Sequence, residues 1–369
     1  MIYLLAVLHA FVDAACAAKL YSSTGELSVM QISSWFLLYN FLAFSTQAIF
    51  GGILDILFKK TAGRSHDVSS GTGKRPDLYS AAAFSGIILV AAGAVMPLFL
   101  PVSIFLVGMG NSLFHVGGGA YALSISGGKA AGVGVFVGPG SLGLVHGTLF
   151  PKMRWIFAAG LVVLGTYALY RAVVHGVLNT AGKGNIAGSL TPSPWIQVMT
   201  AIFLCLAVAF RAFGGSFPYY PWKTGTAIIL VAAAFVMTGK ILGGFVYDRF
   251  GVYKTMIAST AAAASAIALF SGNAPASLVG MLALNIAMPV TLILLYRSLS
   301  DYPAFAFGLA ASVLFPGMIL GQITGSALGG AASPTKSGLF ICCSLTALIL
   351  VLVSYMLITR KGKKKEETV

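Results

Sequence analysis

Apolar runs of about 20 residues recur from one end of this chain to the other, and no other feature restricts its folding as strongly. A helix of about that length crosses the hydrocarbon core of a bilayer. Lipid offers no partners to backbone N–H and C=O groups, so spanning segments must be helices or strands of a closed barrel. The runs are continuous rather than alternating, which selects helices. Apolar residues make up 58% of the chain and charged residues 9%, a balance unlike that of soluble globular domains. The 44 glycines suit close helix–helix approach in lipid. The pattern predicts twelve helices, near 2–20, 31–57, 79–99, 101–126, 130–150, 153–175, 194–217, 223–247, 253–271, 275–298, 303–331 and 337–359.

A formal net charge of +14 invites a nucleic-acid reading, but the placement of the charges argues against it. With both termini on the cytoplasmic side, the cytoplasmic segments carry sixteen of the 23 Lys and Arg residues. Four fall outside (Lys152, Arg154, Lys223 and Lys336), and three lie within spans (Lys19, Arg211 and Lys240). This is the positive-inside bias of a multi-pass membrane protein. The first apolar run is interrupted by His9 and Asp13 and has no charged leader, so it reads as a first helix and not a cleaved signal. The four cysteines, Cys16, Cys205, Cys342 and Cys343, lie in apolar runs without metal or redox spacing. The expectation is a monomer in a cell membrane, in the manner of a bacterial inner membrane, whose partners are lipid, protons and a small solute. No nucleic acid, metal or cofactor is expected.

Between two of the apolar runs lies Gly244-x-x-x-Asp248-Arg249-x-Gly251-x-x-Lys254, expected to be a tight cytoplasmic turn. A fainter copy, Gly51-Gly52-Ile-Leu-Asp55 followed by Lys59-Lys60, precedes it, with Asp55 and Asp248 separated by 193 positions. A second correspondence pairs Phe136-Val-Gly-Pro139-Gly140 with Leu314-Phe-Pro316-Gly317, each placing Pro-Gly inside a helix, where the lost hydrogen bond permits a bend. The chain therefore divides into an N-terminal six-helix bundle (1–175), a cytoplasmic linker (176–193), a C-terminal six-helix bundle (194–359) and a basic cytoplasmic tail (360–369). The loop pattern resembles the signature of the major facilitator superfamily of secondary transporters. That resemblance implies an all-α membrane fold of two pseudo-symmetric bundles that rock about a central site. Gly138-Pro139-Gly140 is similar to the fifth-helix element of exporter-type facilitators, and Phe114-His115 with Gly118 resembles the fourth helix of fosmidomycin-resistance-type facilitators, with Val116 where those carry proline.

Ionisable groups inside a span are costly, so each is a functional candidate. Asp13 lies near the middle of the first helix with His9 one turn before it on the same face. Burial penalises the charge of such a carboxylate, so it can take up and release a proton, and Asp13 and His9 are the candidate proton-coupling pair. His115 and Asn111, one turn apart on the fourth helix, are candidate substrate contacts. Lys19 and Arg211 fall at similar depths in the first and seventh helices, a pair that resembles the two cations of organophosphate-transporting facilitators. Asp55, Asp248, Arg249, Pro139 and Pro316 are expected to act in gating. No phosphate-binding loop, metalloprotease motif or nucleophile elbow is present, so ATP-driven transport and enzymatic chemistry have little support. The expected function is secondary transport of a small organic anion by alternating access, coupled to protons. A proton-coupled exporter of apolar or cationic drugs is one alternative, and a non-transporting membrane receptor or partner subunit is another.

Overall fold

The structure is a computed structural model that describes every residue except Glu26, 65–77, 97–98, 175–192, 330–332 and 367–369. The expected linker, apart from Ser193, and the last three residues of the tail lie outside the described residues. All described secondary structure is helical. The helices are α1 (Ile2–Ser22), α2 (Val29–Asn40, Phe41–Ser45 and Gln47–Arg64), α3 (Leu78–Val95), α4 (Leu100–Ile125), α5 (Ala130–Leu149) and α6 (Arg154–Val174). After the undescribed stretch come α7 (Pro194–Ser216), α8 (226–250), α9 (252–270), α10 (Ala274–Ser298), α11 (Pro303–Ser312 and Leu314–Ala327) and α12 (Pro334–Glu366).

Local chemistry fixes several of the boundaries. Ser28 and Gln31 form a reciprocal capping box that starts α2. The Asn273 side chain accepts the Ala276 N–H at 3.0 Å to start α10. Pro194 opens α7, where its missing N–H costs nothing.

The motif around Asp248 carries a tight break at Gly251, between the two helices expected there. Residues Thr226–Phe270 form one 45-residue helical run whose single break is Gly251, at φ 74° and ψ −179°. Such a run would measure roughly 67 Å as an unbroken helix, about twice the hydrocarbon thickness, so it supplies two spans. With that run counted once, eleven helices among the described residues are long and apolar enough to cross a membrane. One helix departs from the sequence reading: α2 widens into a π-helical turn over Phe41–Ser45.

The helices pack into two compact units. The first contains Met1–Gly127, Pro139–Gly184 and Asp301–Ser312; the second contains Gly128–Gly138, Asn185–Ser300 and Val313–Val369. The first part of α5 groups with the second unit and the first part of α11 with the first. In α5 the change of unit falls at Pro139, which cannot donate to the Val135 carbonyl. In α11 it falls at Val313, where the helix is interrupted because Pro316 cannot donate to Ser312.

Within the first unit α1 and α4 are the most enclosed helices. Leu8, Val12, Ala15 and Cys16 of α1, and Phe114 and Val116 of α4, are fully buried. By contrast, Ile156, Val162 and Val163 of α6 are more than half exposed, as lipid-facing side chains are. Polar groups on α1 and α4 therefore sit where desolvation is greatest.

Candidate functional site

The polar residues of α1 and α4 converge on one carboxylate. His9 Nε2 lies 3.3 Å from Asp13 Oδ2, and His115 Nε2 lies 3.6 Å from Asp13 Oδ1. Asn111 Nδ2 donates to Asp13 Oδ1 at 3.0 Å. The two imidazole rings meet edge to face, with centroids 4.4 Å apart. Helical periodicity puts His9 with Asp13, and Asn111 with His115, one turn apart on a shared face. The packing of α1 on α4 then makes one cluster of the two pairs.

Proton positions in this cluster are constrained. His115 Nδ1 lies 2.8 Å from the Asn111 carbonyl, which can only accept, so Nδ1 carries hydrogen. A neutral His115 then presents the lone pair of Nε2 toward Asp13 Oδ1. Two acceptors so placed favour a proton between them, held by the imidazole or by the carboxyl. Asn111 Oδ1 is buried and has no hydrogen-bond partner among the described residues, which leaves one acceptor open to a donor that enters the site. Cys16, beside Asn111 Nδ2 at 3.7 Å, donates to the Val107 carbonyl at 3.6 Å and fills the floor as a small apolar group.

Gly140 of α5 closes this cluster. A Cβ added there would lie 2.3 Å from His9 Nε2 and 2.6 Å from Asp13 Oδ2, so only glycine lets α5 run this close to both side chains. The Gly-Pro-Gly element thus has a packing role as well as a bend.

The second unit holds the other intramembrane candidate. Arg211 of α7 lines a small cavity together with Ser259 and Thr260 of α9, Thr291 of α10 and Ser344 of α12, among alanines and larger apolar residues. Arg211 Nε is buried without an acceptor, and no salt bridge to Arg211 is formed among the described residues. Arg211 is also the only charged residue lining the cavity among the described residues. A buried guanidinium nitrogen without an acceptor leaves a donor that an anion could satisfy. Lys19 is grouped differently. It occupies the last turn of α1, is 8% exposed, and has the guanidinium of Arg154 as its electrostatic neighbour. Arg154 donates in turn to Ser22 Oγ at 2.9 Å.

The loop-motif acids have a different task. Asp248 accepts the N–H groups of Ala130 and Ala131 at 2.8 and 2.9 Å, at the start of α5. Asp55 accepts those of Ala304 and Phe305 at 3.2 and 2.8 Å, at the start of α11. Neither α5 nor α11 has an acid in its own first turn. Each is capped from another helix of the same unit, where a carboxylate also meets the positive end of the helix dipole. Asp55 is fully buried and accepts the Tyr79 hydroxyl at 2.7 Å. Arg249, by contrast, is exposed and lies over the Phe250 ring at 5.8 Å.

Two participants, Tyr79 and Ser312, were not singled out from the sequence. Tyr79 is an ordinary helix residue until its neighbours are known. Ser312 joins the π-turn of α2 to α11: its hydroxyl donates to the Phe44 carbonyl at 2.9 Å and accepts the Ala48 N–H at 3.1 Å.

No protein-family model matches the sequence, and neither does any curated protein. Solved structures do match. The chain is similar to FucP, a major facilitator superfamily transporter solved in the outward conformation, with TM-score 0.63 and 14% identity over 96% of this chain and 99% of that one. It is also similar to a variant of the E. coli fucose:proton symporter FucP, with TM-score 0.58 and 14% identity over 95% and 97% of the two chains. The chain has the major facilitator fold, an all-α membrane architecture of two helical bundles.

Proposed function

We propose that this protein is a secondary active transporter that moves a small organic anion across a membrane by alternating access, coupled to protons. The observation that carries the reading is the half-buried carboxylate of Asp13 set between the Nε2 atoms of His9 and His115. Moving a proton on or off this cluster changes the charge enclosed in the first unit, and that biases a two-state equilibrium. One structural neighbour is by name a proton symporter, which agrees with this coupling. Its sugar is uncharged, whereas the cavity here is organised around a guanidinium. The anionic substrate therefore rests on Arg211, with Lys19 and Arg154 as further positive charge near the end of α1. Pro139 and Pro316, where α5 and α11 change unit, serve as the flexible points of the rocking motion, and the Asp55 and Asp248 caps hold its end state.

Purified protein in proteoliposomes tests this. An imposed pH gradient should drive uptake of at least one member of an organic-anion panel. Asp13→Asn should remove the dependence on the gradient, and Arg211→Ala should remove uptake itself. Wild-type behaviour in both variants would overturn the reading. Uptake of apolar cations that is indifferent to Arg211→Ala would establish a drug exporter instead.

A further inference from the structure

We propose that the transported anion is a monocarboxylate with a compact aliphatic body, seated in the Arg211 cavity; this rests on the reading above that Arg211 receives the substrate. The donors in the cavity decide the class. Thr291 Oγ1 donates to its own helix at the Ala287 and Met288 carbonyls, 3.1 and 2.9 Å away, and Ser259 Oγ donates to the Met256 carbonyl at 3.3 Å. Both hydroxyls therefore turn lone pairs toward the cavity. Thr260 and Ser344, which also line the cavity, donate to no backbone carbonyl among the described residues, so their hydroxyl protons can serve a ligand.

The cavity thus offers one guanidinium fork and two hydroxyl donors. That set matches the two oxygens of one carboxylate, which Arg grips in a bidentate manner. A phosphate monoester brings nearly two negative charges and three acceptor oxygens near neutral pH. One cation leaves it undercompensated, and its third oxygen would meet the lone pairs of Ser259 or Thr291. A dicarboxylate would need a second cation, and none lines the cavity among the described residues. The remaining wall is alanine with Met256, Leu284, Leu348 and Val351, which suits an aliphatic body.

The test is binding to the full chain in detergent, read as thermal protection and by displacement of radiolabelled isovalerate. The probes are isovalerate, its uncharged amide, succinate and a short alkyl phosphate. Isovalerate should bind at least tenfold tighter than each of the other three. Arg211→Gln should lower its affinity at least tenfold, while Arg211→Lys keeps part of it. Ser344→Ala and Thr260→Val, which leave the charge intact, should each weaken isovalerate severalfold, guarding against an Arg211 variant that fails to fold. If alkyl phosphate or succinate binds tighter than isovalerate and Arg211→Gln abolishes it, the monocarboxylate assignment is wrong and the anion reading stands. If the amide binds as well as isovalerate and Arg211→Gln changes nothing, both are wrong.

Discussion

Asp55 and Asp248, 193 positions apart in the chain, cap the N-termini of α11 and α5 in the same way, each accepting two consecutive backbone N–H groups within its own unit. The sequence repeat is therefore a repeat of hydrogen bonding. The two caps differ in burial: Asp55 is fully enclosed with Tyr79 on it, while Asp248 is exposed. Removing a cap costs about 0.5–2 kcal/mol, and stranding a buried donor adds about 1–3 kcal/mol. Asp55→Ala should therefore lower the unfolding midpoint of the purified protein more than Asp248→Ala does. Tyr79→Phe should cost less than either, because it leaves the Asp55 cap in place. Both alanine variants should slow uptake severalfold and leave the ranking of substrates unchanged. A change in that ranking would mean these acids touch substrate.

Gly251 is the one break in the 45-residue run from Thr226, and its φ of 74° with ψ near 180° is a conformation open essentially to glycine alone. Nothing lies within 4 Å of a Cβ added there, so the cost of Gly251→Ala is the backbone itself, about 1–3 kcal/mol. The alternative open to the variant is to straighten and join two spans into one rod, which would misplace α9. The expected result is a lower thermal midpoint and a reduced monodisperse yield. Equal stability of Gly251→Ala and wild type would show that the break is not imposed by this residue.

The apolar run lengths made the number and order of spans legible, because bilayer thickness and backbone satisfaction leave little freedom. The pairs His9 with Asp13 and Asn111 with His115 were legible for a related reason, since one helical turn separates each. That α1 and α4 would bring both pairs onto one carboxylate is a tertiary fact across 98 positions and had no local signal. The same holds for Ser312 and the π-turn of α2, which are 268 positions apart. The loop motif marked Asp248 but not its partners, because a helix that lacks its own cap gives no sign of who supplies one. Arg249, equally prominent in the motif, makes no ion pair among the described residues. The exchange of half-helices between units was also hidden. Pro139 and Pro316 announced bends, but which unit each half joins depends on packing that composition does not encode.

Ser312 lies on the last residue of the first α11 segment, and its hydroxyl holds the π-turn at Phe44 and Ala48. Thr46 adds a second tie from that turn, to Ser112 of α4 at 2.8 Å. A π-turn leaves carbonyls off the regular ladder, so its external partners stabilise it. Ser312→Ala removes both bonds and should cost about 1–2 kcal/mol while leaving helix content intact. Hydrogen exchange at the amides of residues 44–50 should accelerate several-fold to tenfold relative to the rest of α2. Unchanged protection there would mean the π-turn is held by the Thr46 tie alone.

Gly140 gives the sharpest separation between folding and coupling. Alanine is the better helix former by about 1 kcal/mol, so propensity alone would make Gly140→Ala harmless or slightly stabilising to α5. The new Cβ, however, falls 2.3 Å from His9 Nε2 and 2.6 Å from Asp13 Oδ2, below any ordinary carbon contact. The clash is with side-chain ends and not with backbone, so the chain can still fold by pushing His9 and Asp13 aside. That displacement breaks the 3.3 Å contact between them. Gly140→Ala should therefore keep near wild-type yield and retain exchange of substrate down its own gradient. Uptake driven by a pH gradient should fall at least tenfold, as in Asp13→Asn. Gly140→Ala that keeps wild-type proton-driven uptake would remove the His9–Asp13 contact from the coupling mechanism, and His115 would be left as the sole imidazole partner of Asp13 in it.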